Sequence, residues 1–169
     1  MIYDPLAVAL ADEDFRPKTT TELMAASGVS TLRRSDVVAA LINLVGMGVL
    51  RPAQAFTPEI RARCDACNRL VLDRAVTGPH LKHMASPVTG GGILTPRSAQ
   101  LFLRAWLAGA RTTDEIALSV WQVFEATNER AVRNGHEAVT PEDNVAAIGH
   151  MARRFLDQTV PLYRALAIL

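Results

Sequence analysis

The residue pattern closest to a chemical site is Cys64-x2-Cys67, then twelve residues, then His80-x2-His83. Two thiolates and two imidazoles at such spacing could ligate zinc tetrahedrally. The second spacer is two residues where three to five are usual, and the cysteines fall inside a predicted helix rather than on a hairpin. The simpler reading is two small, semi-buried apolar cysteines and two loop histidines. A second candidate is Gly90-Gly91-Gly92. A phosphate cradle needs a strand before the glycines and a Lys or Ser/Thr at the start of the helix after them. No lysine follows, and the G-x-G-x-x-G and Walker patterns are absent. The glycines read instead as a tight turn or a close backbone approach. His136 and His150 have no nucleophile or orienting carboxylate nearby in sequence. Trp106, Trp121, Phe102 and Phe124 recur at helical spacings and read as core. No catalytic, cofactor-binding or metal-ligating residue is assigned.

The totals fit a packed protein. Of 169 residues, 49% are hydrophobic and 21% charged, with 18 basic and 17 acidic side chains for a net charge of +1. Near-neutrality argues against nucleic acid or an anionic membrane as the main partner. Two cysteines three positions apart suggest a reducing, cytoplasmic setting rather than a disulfide scaffold. The start, MIYDPLAVAL, has no basic region and is not read as a signal peptide. The longest apolar tract, Val37 to Leu50, contains Asn43 and is too short to span a bilayer.

Helix signals cover most of the chain. Asp4-Pro5 predicts a helix start, with an acidic loop (Asp12, Glu13, Asp14) after Leu10. Thr19 to Glu22 forms a capping box that opens a short helix ended by Gly28. A third helix is expected from about Ser30 to Gly46, with Val37, Val38, Leu41, Leu44 and Val45 inward. A strand at Val49-Leu50-Arg51, limited to an edge by Pro52, would make a winged-helix unit with a stunted wing. Further helices open at Thr57-Pro58, Thr95-Pro96, Thr112 and Thr140-Pro141. The one from Thr112 is expected to run to Asn134-Gly135, and Pro161 is expected to break or kink the last. The fold class is therefore mainly α. It comprises a winged-helix-like domain over residues 1–57, then a helical C-terminal bundle over 58–169 containing a Gly-rich connector, 84–96.

The outward face of the third helix reads Ser35, Asp36, Ala39, Ala40 and Asn43. A groove-reading helix would carry Arg, Lys, Asn or Gln there. Only Arg33 and Arg34 at its start, and Arg51 in the wing, are basic. Small alanines suit a protein surface, so Ala39 and Ala40 are candidate contact residues and DNA is not expected. The alternative function remains a winged-helix DNA-binding transcription regulator. In the connector, the contact candidates are Ser86, Pro87, Gly90, Gly91 and Gly92, with at least one glycine expected either at positive φ or where the backbone approaches a helix closely.

Several segments together resemble a bacterial family. They are Cys67-Asn68-Arg69-Leu70-Val71-Leu72-Asp73-Arg74 and Met84-Ala85-Ser86-Pro87-Val88-Thr89-Gly90-Gly91-Gly92-Ile93, then Leu101-Phe102-Leu103, Thr140-Pro141-Glu142-Asp143-Asn144 and the closing stretch from Pro161 to Ile168. They look like the C-terminal region of class I S-adenosylmethionine-dependent methyltransferases that carry the "predicted methyltransferase regulatory domain". Tails of that kind have N-R-x-L-L-x-R, L-A-S-P-V-x-G-x-G-[IV], T-P-E-[ED]-N and P-x-L-x-x-L-G-I segments, and Ala167 stands where the last has glycine. Tyr3-Asp4-Pro5-Leu6, Thr21-Glu22-Leu23 and Leu41 to Gly46 are similar to the winged-helix part of the same tails. The methyltransferase core, with its Gly-rich loop and ribose-binding acid, has no counterpart in these residues. The resemblance implies a C-terminal portion or a separately encoded tail. Its role would be non-catalytic regulation or substrate recognition, its partner a methyltransferase core domain or a protein substrate. S-adenosylmethionine would bind only in the associated core. No membrane contact is implied, and the oligomeric state is left open.

Overall fold

The structure is a computed structural model describing residues 2–11, 15–133 and 135–169. The expected acidic loop at Asp12, Glu13 and Asp14, and Asn134, lie outside the described residues. The protein is mainly α. In chain order come α1 (Tyr3–Leu10), α2 (Thr20–Ala25), α3 (Arg34–Gly46) and α4 (Pro58–Ala75), then strands β1 (His83–Ser86) and β2 (Gly91–Leu94). After them follow α5 (Arg97–Leu107), α6 (Thr113–Ala126), β3 (Val132–Arg133), β4 (His136–Glu137), α7 (Pro141–Arg154), a π-helical turn (Phe155–Thr159) and α8 (Val160–Ala165). Each strand pair is a separate antiparallel ribbon. Among the described residues no helix is long and apolar enough to cross a membrane.

Threonine chemistry starts most of the helices. Thr19, Thr57, Thr112 and Thr140 each accept a hydrogen bond from a backbone N–H three residues on, and Glu22, Glu115 and Asp143 complete reciprocal capping boxes. Asp4 is not an N-cap, because α1 begins a residue earlier at Tyr3, but it lies in the first turn, where the helix dipole favours an anion. Thr95 does not cap α5 either. Its hydroxyl donates to the Ile93 carbonyl, and Pro96 stands at the N-cap. α3 starts at Arg34, four residues later than expected, and Arg33 gives no side-chain cap.

The expected wing strand does not form, and the reason is local. Gly48 takes φ +73° after α3, its N–H bonds the Val45 carbonyl, and those of Val49 and Leu50 bond the Leu44 carbonyl. This is a Schellman stop, so the donors a strand would use are spent closing the helix. The same geometry stops α6 eight residues earlier than expected. Asn128 adopts φ +55°, and Glu129 donates to the Phe124 carbonyl. The chain then forms the β3–β4 ribbon, with Val132 opposite Glu137. Pro161 does not end the final helix, although the regular α-helical bonding gives way just before it. The wide turn from Phe155 to Thr159 precedes it and accommodates a residue that has no N–H, so the helix continues into α8.

Among the described residues two apolar clusters result. The larger unites α4 through α8 with the β1–β2 hairpin, and includes Leu72, Met84, Ile93, Leu103, Ile116, Val120, Ile148 and Phe155. The smaller contains Leu6, Val29, Val37 and Ala40. Ala40 is therefore not an outward residue. It is 3% exposed, because the inward axis of α3 runs through Val37, Ala40, Leu41 and Leu44, and its small side chain packs beside Leu6. Val38 and Val45, expected inside, are exposed.

Candidate interaction site

The Gly-rich connector is an ordered hairpin. β1 and β2 pair His83 with Leu94, Met84 with Ile93, Ala85 with Gly92 and Ser86 with Gly91. Met84 and Ile93 face the core. The residues from Pro87 to Gly90 make the turn, closed by the Gly90 N–H on the Ser86 carbonyl at 3.0 Å. Val88 lies buried in this turn. Gly90 has φ +65°, the left-handed conformation that glycine tolerates and other residues avoid.

Buried polar groups fasten this hairpin on several sides. The Asn68 side chain, 4% exposed on α4, donates to the Ala85 carbonyl at 2.9 Å and accepts from the Ala85 N–H at 2.6 Å. One amide thus does what a neighbouring strand would do. Ser86 Oγ donates to the Leu166 carbonyl at 2.7 Å and accepts from the Thr89 N–H at 3.3 Å. Gln54 bonds the turn twice, its N–H to the Val88 carbonyl at 2.8 Å and its Nε2 to the Pro87 carbonyl at 3.3 Å. At the open end, Thr95 N–H donates to the Lys82 carbonyl at 2.8 Å, while Gln100 Nε2 reaches the carbonyls of Leu81 and Thr95. Tyr163 donates to Thr95 Oγ1 at 3.4 Å, and burial pushes its phenol above the ordinary value. Arg97 adds a brace, donating to the carbonyls of Ala75 and Val76 at the end of α4 and pairing with Glu129.

These bonds sort the candidate residues. Ser86 and Pro87 are buried and serve the hairpin's own architecture, so neither offers a contact surface. Gly90, Gly91 and Gly92 are exposed. A Cβ on Gly90 would fall 2.6 Å from Gln54 Nε2, one on Gly92 3.2 Å from His83 Cβ, and one on Gly91 would meet nothing within 4 Å. Ala39 is exposed on α3. It does not line the cleft of about 560 Å³ that Leu41 and Val45 of α3 share with Val88, Thr89 and Ile93 of the hairpin and Leu162 and Leu166 near the C-terminus.

The cysteine–histidine pattern gains no common centre. Cys64 is partly buried and Cys67 exposed on α4, both as free thiols. Burial, with Asp65 beside it, raises the Cys64 thiol above its ordinary value. Among the described residues no three His, Cys, Asp or Glu side chains are grouped to hold a metal ion. The sequence reading missed the buried amides. Asn68, Gln100 and Asn144 all hold backbone, and Asn144 bonds the Ala131 N–H and the carbonyls of Ala138 and Thr140. The available signal was an amide on an otherwise apolar helix face.

No family model matches the chain, and no solved structure matches it. It is 28% identical over 169 residues to an uncharacterized protein, sll1526, of Synechocystis sp. (strain ATCC 27184 / PCC 6803 / Kazusa). That alignment covers 99% of this chain and 32% of the other, so the chain spans about a third of the relative's length.

Proposed function

We propose that this chain is a non-catalytic regulatory or substrate-recognition module of an S-adenosylmethionine-dependent methyltransferase system, acting in the cytoplasm through protein contact. Its partner is a methyltransferase core domain or that core's protein substrate. The observation that carries the reading is the Asn68–Ala85 clasp. It joins two of the segments that resemble methyltransferase tails, so they form one unit presenting three exposed glycines. The longer relative adds support, since a sequence that aligns with a third of a protein suits a module working beside other domains.

The first three helices serve as a winged-helix-like unit without its β wing. Their surface favours a protein partner over a DNA groove. Ile42 is 65% exposed on α3 and Val38 37%, while Arg33 is engaged by Asp36 at 3.0 Å. Base-reading helices put polar forks at such positions. The test has two parts. S-adenosylmethionine titrated calorimetrically into the chain alone gives no stoichiometric heat, and a purified methyltransferase core from the same genome co-elutes with the chain. A stoichiometric micromolar site for S-adenosylmethionine in this chain, or failure of every such core to co-elute, overturns the reading.

A further inference from the structure

The β1–β2 hairpin has two edges, and a side chain of α4 caps only one of them, at Ala85. In an antiparallel pair, residues opposite each other alternate between bonding across the ladder and directing both N–H and C=O outward. Ala85 gives both groups to Asn68, on the side away from β2. Ala85 and Gly92 are therefore an outward-directed pair, and so, two residues on, are His83 and Leu94. The Thr95-to-Lys82 bond at the next position fits the same alternation. On β2, then, the N–H and C=O groups of Gly92 and Leu94 point away from the hairpin. Among the described residues none bonds them. Both residues are exposed, Leu94 by 62%, and a Cβ on Gly91 would meet open space. Exposed strand edges of this kind are usually blunted by a charge, a proline or a covering element. Here Pro96 stands only past the strand's end, and Gly92, one of the two outward-directed positions, has no side chain to hold another backbone away.

We infer that the open edge of β2, at Gly92 and Leu94, is a strand-addition site for an extended segment of another protein. The inference rests on the protein-contact reading above and names the mode of that contact. The partner supplies backbone rather than charge. Its N–H and C=O groups pair with the two donors and two acceptors of Gly92 and Leu94, and an apolar side chain packs on Leu94. Main-chain bonds give such a contact its affinity and alternate side chains its selectivity. The asymmetry carries the argument: Asn68 occupies the middle of the β1 edge at Ala85, and among the described residues nothing does the same for the β2 edge of this hairpin.

The test uses short random peptides displayed on phage and selected on the immobilised full chain, with the best binder then synthesised. Amide exchange at Gly92 and Leu94 slows on binding. Leu94→Pro removes one outward donor without touching the β1–β2 bonds, and it weakens binding by about tenfold, the loss of one hydrogen bond. Leu94→Ala retains the donor and loses less. Methylating alternate peptide nitrogens in the binder abolishes binding without altering the protein at all, which keeps the test sound even if Leu94→Pro fails to fold. Recovery of no binder, or binders that leave Gly92 and Leu94 exchange unchanged, overturns the proposal. So does protection of the same amides by a second copy of this chain as concentration rises. If a methyltransferase core still co-elutes with Leu94→Pro, the strand-addition mode falls while the protein-contact function stands.

Discussion

At the scale of single residues, backbone angle decides more than side-chain chemistry. Ala167 adopts φ +51° at the Schellman stop of α8, where its N–H bonds the Arg164 carbonyl and that of Ile168 bonds the Tyr163 carbonyl. The resembled tails carry glycine at this position, and the geometry gives the reason: a left-handed residue here is strained unless it lacks Cβ. Ala167→Gly is expected to stabilise by roughly 0.5–1 kcal/mol, the strain relieved outweighing the added freedom of the unfolded chain. Gly90→Ala is expected to do the reverse, since φ is +65° and Gln54 must move aside. Gly91→Ala, with open space and no positive φ, is expected to be neutral or slightly stabilising. Urea midpoints of the three variants check the pattern, and equal effects at Gly90 and Gly91 would refute it. The need for a left-handed glycine in the connector was legible in the sequence. Its assignment to Gly90 was not, because only the Ser86–Gly91 register determines which glycine ends the turn.

At the scale of elements, starts were more legible than stops. Threonine caps announce themselves because donor and acceptor lie three residues apart. Stops at Gly48 and Asn128 depend on what the following residues bond, and there the expected wing strand and the expected long α6 both failed. Asn134-Gly135 read as the end of a helix, although two such residues between short strands are also a hairpin signal. The capping box of α2 carries a pH consequence. The Thr19 N–H, followed by Arg16 and the Thr19 hydroxyl, holds the Glu22 carboxyl down at about 2 from an ordinary 4.5. A depressed native value stabilises α2 above the unfolded value, and that contribution fades as pH falls from 4.5 through 2. Amide protection in α2 is expected to decline across this window and to converge on that of Glu22→Gln at its acid end. A flat profile, with wild type and variant still apart at the lowest pH, would contradict the assignment.

At the scale of the whole molecule, the mainly α class and most helix positions follow from periodicity, and the exposed glycines from composition. What stayed hidden is the set of side chains that join distant stretches: Asn68 to Ala85, Gln100 to Leu81, Ser86 to Leu166. Each partner lies outside the window in which local pattern speaks, and Ser86 read as a surface candidate because the Leu166 carbonyl that takes its hydroxyl proton is far away in sequence. That last bond, across 80 residues, also orders events in time. α4 and the hairpin are close in sequence and can meet early, whereas the latch on the Leu166 carbonyl must wait for α8 to arrive. Contacts that close so long a loop form late on the folding path. Ser86→Ala is therefore expected to leave the refolding rate nearly unchanged and to speed unfolding, with a φ-value near zero measured by stopped-flow chevrons. The seating of the C-terminal end of α8 on the hairpin would then be the last contact of the protein to set and the first to loosen.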